Sequence, residues 1–366
     1  MSVRAWVRQN GIELTGPAVE EKLRDSVLLS SRGPRPSLQT VDNAAGERYS
    51  HRPLGIDLPA GLFGCIQAAR GVIRVISLKC PGEANPVNQD AAVAAIMTDN
   101  AGEKWHFAAV ADGLGGSGLA YGVERGSRIA VLAALKIVYS LVMNEGQPGH
   151  RFRALVQGLN GAKSPVQENL LAFLAHHLER QFIQAVKADF LAVAGQFTVS
   201  GVRSRDLRYY GTTLAFSVMT ASGGFDFRLG DGGTAHFGPE NTVQSIAGFE
   251  NLDRKTRVLG FEKSDFETWA TGGQKGDPPL AFRAAGHAGI KAASGQVTVL
   301  GTDGLEQIRS PDSRDVLVHG LDSVARHLRA NGDTLDAGPD ATDDVTVVVM
   351  PRPAQAGSAA AAAPAA

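Results

Sequence analysis

Between residues 72 and 111 three short apolar segments succeed one another with only turn-rich links between them, and strand-like segments return after two long helical stretches. This order is the strongest constraint on the fold. Val72–Leu78, Ala91–Met97 and Trp105–Ala111 read as strands. Helical spacing runs from about Tyr121 to Met143, where Ile129, Leu132, Leu135 and Val142 recur, and a second helical region covers about Val166 to Ala194. Thr213–Met219 and Phe225–Leu229 read as a hairpin across Ser222-Gly223-Gly224, with Phe225, Phe227 and Leu229 alternating as in a half-buried strand. Gln296–Leu300 and Val345–Met350 are further strands, with a mostly helical Val316–Arg329 between them. A doubly wound parallel sheet would alternate strand and helix. The expected class is α+β, with consecutive strands pairing antiparallel.

The remaining segments are less patterned. Residues 1–68 are expected to form an N-terminal extension that packs on the main domain or is partly mobile, with a short helix around Val19–Leu29 and a polar stretch broken by Pro34 and Pro36. The main domain is expected over 69–351. Residues 239–291 read as irregular and suited to an inserted flap, and 352–366 as a disordered Ala/Pro-rich tail. With 36 Lys and Arg against 37 Asp and Glu, no global charge draws the chain to nucleic acid or to an anionic membrane. Any anion must be bound at a local, built site. The only cysteines, Cys65 and Cys80, form no CxxC motif, so a structural zinc is not expected and a cytoplasmic location is. Met1–Arg8 has no apolar run after its charges, and Ile129–Met143 is too short to cross a bilayer.

Acidic residues gather where strands begin or end. Asp112 follows Trp105–Ala111, Asp231 follows Phe225–Leu229, Asp303 follows Gln296–Leu300, and Asp343 and Asp90 precede strands. Strand ends hold side chains in fixed positions, so these carboxylates can converge. Converging carboxylates repel unless a cation neutralises them, and hard oxygen donors suit Mg2+ or Mn2+. Two such ions can generate hydroxide and polarise a phosphoryl oxygen. Gly113 and Gly304 let backbone approach the metals. An aspartate beside glycine at a strand end is also ordinary turn chemistry, and Asp231, in Gly230-Asp231-Gly232-Gly233, is assigned to the turn.

Asn88-Gln89-Asp90, Ala111-Asp112-Gly113-Leu114-Gly115-Gly116, Gly211-Thr212-Thr213, Leu229-Gly230-Asp231, Arg257-Val258-Leu259-Gly260, Thr302-Asp303-Gly304 and Asp343-Asp344-Val345-Thr346-Val347 occur in this order. In that order and spacing the chain resembles the type 2C (PPM) metal-dependent protein serine/threonine phosphatases, in a bacterial-style form, over about residues 70–350. The resemblance implies a four-layer α-β-β-α sandwich of two antiparallel sheets flanked by helices, with two Mn2+ or Mg2+ ions at one end. It implies that Asp112 bridges both metals, that Gly113 gives a backbone carbonyl, and that Asp303 and Asp343 are ligands. Asp90 is similar to the acid beside the metals, acting directly or through water. The implied reaction is in-line attack of a metal-bridging hydroxide on phosphoserine or phosphothreonine of a protein, the substrate of a serine/threonine kinase, with no covalent phosphoenzyme.

The chain departs from the family pattern at four places. Asn85 stands where the family often has a phosphate-gripping arginine, which leaves Lys79 and Arg125 as candidates for that role. Gln89 replaces a frequent glutamate and brings no charge. Leu114 occupies a position that is histidine in some eukaryotic members. Asp344 stands where asparagine is usual. The first two departures motivate an alternative, a pseudophosphatase or phosphoprotein-binding module without turnover. Gly113–Gly118 also fits GxGxxG, but Asp112 beside its first glycine would repel a pyrophosphate, and no second parallel strand ending in an acid follows. No GxSxG or HExxH motif is present.

Overall fold

The structure is a computed structural model of the 366-residue chain. It describes residues 56, 58–78, 88–113, 124–159, 165–193, 198–199, 202–203, 210–238, 243–248, 289–293, 295–304 and 344–354. The helices expected over 19–29 and 316–329 and most of the expected flap lie outside these residues.

In chain order the elements are α1 (Ala60–Ala69), β1 (Arg74–Leu78), β2 (Ala91–Thr98), β3 (Lys104–Ala111), α2 (Glu124–Val142), α3 (Gln147–Gln157) and α4 (Pro165–Val193). There follow β4 (Thr198–Val199), β5 (Val202–Arg203), β6 (Leu214–Met219), β7 (Gly224–Leu229), β8 (Gly233–Phe237), β9 (Val243–Gly248), β10 (Gly289–Ala292), β11 (Val297–Gly301) and β12 (Val345–Pro351). One antiparallel sheet runs β10-β7-β6-β3-β2 and a second runs β1-β12-β11-β8-β9, while β4 and β5 pair with each other. Helices with two antiparallel five-stranded sheets make the chain α+β, as its sequence predicts. The β6–β7 hairpin forms where expected, Leu214 facing Leu229 and Met219 facing Gly224.

Side-chain size sorts the two faces of the first sheet. Phe107, Phe216, Phe225 and Phe227 point with Leu214, Val218 and Trp105 into a core shared with the helices. Phe216 stacks on Phe227 with ring centroids 4.8 Å apart, and Phe152 of α3 meets Phe225 edge-on at 6.1 Å. Alternate positions are small: Ala92, Ala94, Ala108, Val110 and Ala215 pack against Leu300, Val348 and Met350 of the second sheet. Alanines let the sheets approach, while aromatic rings fill the wider gap to the helices. This corrects the half-buried reading of β7, whose polar face meets the other sheet, where Asp226 is buried, and not water.

Ile56, Leu58, Leu62 and Ile66 are buried in the same core as the sheet aromatics, so this part of the N-terminal segment packs on the main domain. At the other end β12 runs on to Pro351, and Arg352 donates to the carbonyls of Gly295 (2.7 Å), Ala293 (3.2 Å) and Thr220 (3.4 Å). The chain is thus anchored beyond the expected start of the tail. Helix α3 lies between the two expected long helices, in a stretch given no element by the sequence; Pro148 sits at its N-terminus, where a missing N–H costs nothing. No single helix among the described residues is long and apolar enough to cross a membrane.

Candidate metal centre

The ends of β3, β7 and β11 deliver Asp112, Asp231 and Asp303 to one place. A carboxylate oxygen from each lies within 4.8 Å of the other two. Asp112 continues β3 of the first sheet and Asp303 follows β11 of the second. Asp231 lies on the turn by which the chain crosses from β7 to β8, hence from one sheet to the other.

Each position is held by backbone. The Asp112 amide donates to Thr213 Oγ1 (3.0 Å), and the Asp112 carbonyl accepts from Thr212 Oγ1 (2.7 Å) and the Thr213 amide (2.9 Å). The Gly113 amide donates to the Gln89 carbonyl at 3.2 Å. The turn at Asp231 needs Gly230, whose φ of 97° lies in the left-handed region. Thr302, before Asp303, donates its amide to the Thr346 carbonyl (3.0 Å). Gly304, after Asp303, admits no side chain, because a Cβ there would sit 1.9 Å from the Asp344 carbonyl oxygen.

Asp90 is placed behind this trio and not in it. It is buried, and its Oδ2 accepts from Thr302 Oγ1 at 2.8 Å, next to Asp303. Asn88, Ser77 and Thr346 extend the same hydrogen-bonded chain. Gln89 is buried too; its amide donates to Asp344 Oδ2 (2.7 Å), and its carbonyl accepts from Ser127 Oγ (2.5 Å). Asp344, where asparagine is usual in the resemblance, thus anchors backbone. Asp343, Asn85, Lys79 and Leu114 lie outside the described residues.

Arg125, a candidate for holding substrate phosphate, is buried and committed to structure. Its guanidinium grips both carboxylate oxygens of Asp189, with Nε at 2.7 Å from Oδ2, and Tyr210 donates to Oδ2 at 2.7 Å. Burial first, and then the Asp189 charge, raises the Tyr210 hydroxyl well above its ordinary value, so the group stays a donor. This network ties the start of α2 to α4 and to Tyr210.

Asp231 is the residue that sequence reasoning assigned away from the site. Its surroundings are a glycine turn, as expected, and the same turn aims it at Asp112 and Asp303. The signal was its membership in the set of strand-end aspartates. The fit to a cation is chemical: three ionised carboxylates this close would repel by roughly 3 kcal/mol per pair at an effective dielectric of about 20. A hard divalent ion reverses that sign.

The sequence matches the family model for protein phosphatase 2C over residues 83–337. No curated protein matches. Among solved structures, the serine/threonine phosphatase Stp1 from Staphylococcus aureus is 13% identical, with 82% of this chain and 97% of that one covered and a TM-score of 0.36. The phosphatase domain of SpoIIE from Bacillus subtilis is 10% identical over 80% of this chain and 97% of that one, with a TM-score of 0.36. RsbX in complex with magnesium is 14% identical over 76% and 95%, with a TM-score of 0.33. Because the family model matches the greater part of the chain, this protein belongs to the protein phosphatase 2C family.

Proposed function

We propose that the chain is a metal-dependent phosphatase that removes phosphate from phosphoserine and phosphothreonine of protein substrates phosphorylated by a serine/threonine kinase. The observation that carries this is the convergence of Asp112, Asp231 and Asp303 at the shared end of two sheets. Asp112, Asp231 and Asp303 would hold Mn2+ or Mg2+, two ions in this reading, with the Gly113 carbonyl and Asp343 completing the donors. Bound divalent cations supply charge neutralisation for the phosphoryl oxygens and ease ionisation of water near neutral pH.

The chain's own residues do the rest. Asp112, its backbone held by Thr212 and Thr213, would present its carboxylate from a fixed point of the chain, which limits reorganisation. Asp90, whose Oδ2 accepts from Thr302 next to Asp303, would act as the acid near the metals, directly or through water. In the overall reaction water adds to phosphorus, the ester P–O bond breaks, and the serine or threonine oxygen leaves with a proton. With Arg125 bound to Asp189, the phosphate is gripped by other groups. The cytoplasm is the proposed site of action.

The test is hydrolysis of para-nitrophenyl phosphate and of a phosphothreonine peptide with Mn2+, then with excess EDTA. Turnover with Mn2+ that EDTA abolishes is expected. Turnover that survives EDTA, or none from a folded, Mn2+-loaded chain, would overturn the reading.

A further inference from the structure

The layer between the two sheets is mostly alanine, valine and leucine, yet a connected set of polar side chains crosses it. Asp226 on β7, His236 on β8 and Thr298 on β11 are 3%, 1% and 0% exposed. His236 Nε2 lies 2.5 Å from Asp226 Oδ2, and its Nδ1 lies 3.0 Å from Thr298 Oγ1. Thr234 adds a hydrogen bond to the same Asp226 oxygen at 3.2 Å. Both ring nitrogens of His236 are therefore engaged, one toward Thr298 on the adjacent strand β11 and one across the layer toward Asp226 on β7 of the other sheet.

The positions of these residues give the network its meaning. Asp226 stands five residues before Asp231 and His236 five residues after it. Thr298 stands five residues before Asp303. The strands feeding two of the three converging carboxylates are thus tied together at the same depth in the sandwich. Apolar packing across the layer tolerates small slides of one sheet over the other, whereas a hydrogen bond of 2.5 Å has a narrow range of length and angle. A carboxylate this deeply buried is costly to leave unpaired, so the bonds are kept together or lost together.

We propose that His236 is a positioning residue for the metal centre: through Asp226 and Thr298 it fixes the separation of β7, β8 and β11, and so sets how closely Asp231 and Asp303 approach. It touches neither metal nor substrate. The inference rests on the metal reading above, and the experiment separates the two.

Mn2+ binding is measured by isothermal titration calorimetry on the full chain, on His236→Gln and on the near-isosteric Thr298→Val, with folding followed by circular dichroism. If the unaltered chain binds no Mn2+, the metal reading itself falls. If it binds, His236→Gln is expected to weaken affinity about tenfold, the lower end for residues that orient metal ligands. Thr298→Val, which removes one hydroxyl, is expected to weaken it about threefold. In an Asp231→Asn background His236→Gln should change affinity by less than it does in the unaltered chain, because part of its effect runs through Asp231. Unchanged affinity in the single variants, or losses that add in the double variant, would overturn the proposal. Should His236→Gln not fold, Thr298→Val decides alone.

Discussion

A carboxylate that converges with two others can be tested by removing its charge and keeping its shape. Asp112→Asn is expected to lower phosphatase turnover at least about a hundredfold, with the thermal midpoint in EDTA unchanged or raised, since one repelling charge is gone. Activity near that of the unaltered chain would remove Asp112 from the centre. Gln89 is a different case. Its amide and carbonyl hold Asp344, Gly113 and Ser127, so its backbone role survives substitution. Gln89→Glu is expected to tighten Mn2+ binding by a few-fold, since it adds a charge at the position where the family resemblance has a frequent glutamate. A flat response in a Mn2+ titration would show that residue 89 acts through its backbone alone.

Among the elements, β3 and β12 meet through His106, whose Nδ1 lies 2.7 Å from the Pro351 carbonyl. Burial lowers the pKa of His106, ahead of the opposing effect of this hydrogen bond, so the folded state favours the neutral ring. That contribution is complete above the ordinary histidine value near ~6.5 and is lost as pH falls through the depressed folded value. His106→Gln is therefore expected to flatten the loss of thermal stability between about pH 6.5 and 5; an unchanged slope would assign acid lability elsewhere. Pattern was legible in elements whose burial was one-sided or whose apolar period was plain. The β6–β7 hairpin and helices α2 and α4 are of this kind. It was not legible in β8, Gly233-Thr-Ala-His-Phe237, where Thr234 and His236 face a buried layer and mimic a loop. Nor was it legible at Gly149, whose glycine serves close packing of helix α3: a Cβ there would lie 2.0 Å from the Asn144 carbonyl oxygen. Asp231 shows the same limit at the site, because a turn aspartate and a ligand aspartate look alike until the sheets bring their ends together.

At the scale of the whole molecule, the ends of the domain are set by packing. Removing residues 355–366 is expected to leave the melting temperature within about a degree. Removing 352–366 takes away Arg352, the donor to three carbonyls, and is expected to destabilise the chain by about 2 kcal/mol. Equal melting curves for the two truncations would show that Arg352 contributes nothing. The converging carboxylates have a consequence of their own at this scale. Asp112 hangs from one sheet and Asp303 from the other, with Asp231 on the strap between them. A cation held by all three is a rivet through the open end of the sandwich, and pulling the sheets apart means breaking its coordination. Under the proposed metal reading, occupancy would become a mechanical property of the fold, adding about 2.7 kcal/mol at a hundredfold excess over Kd and vanishing in chelator.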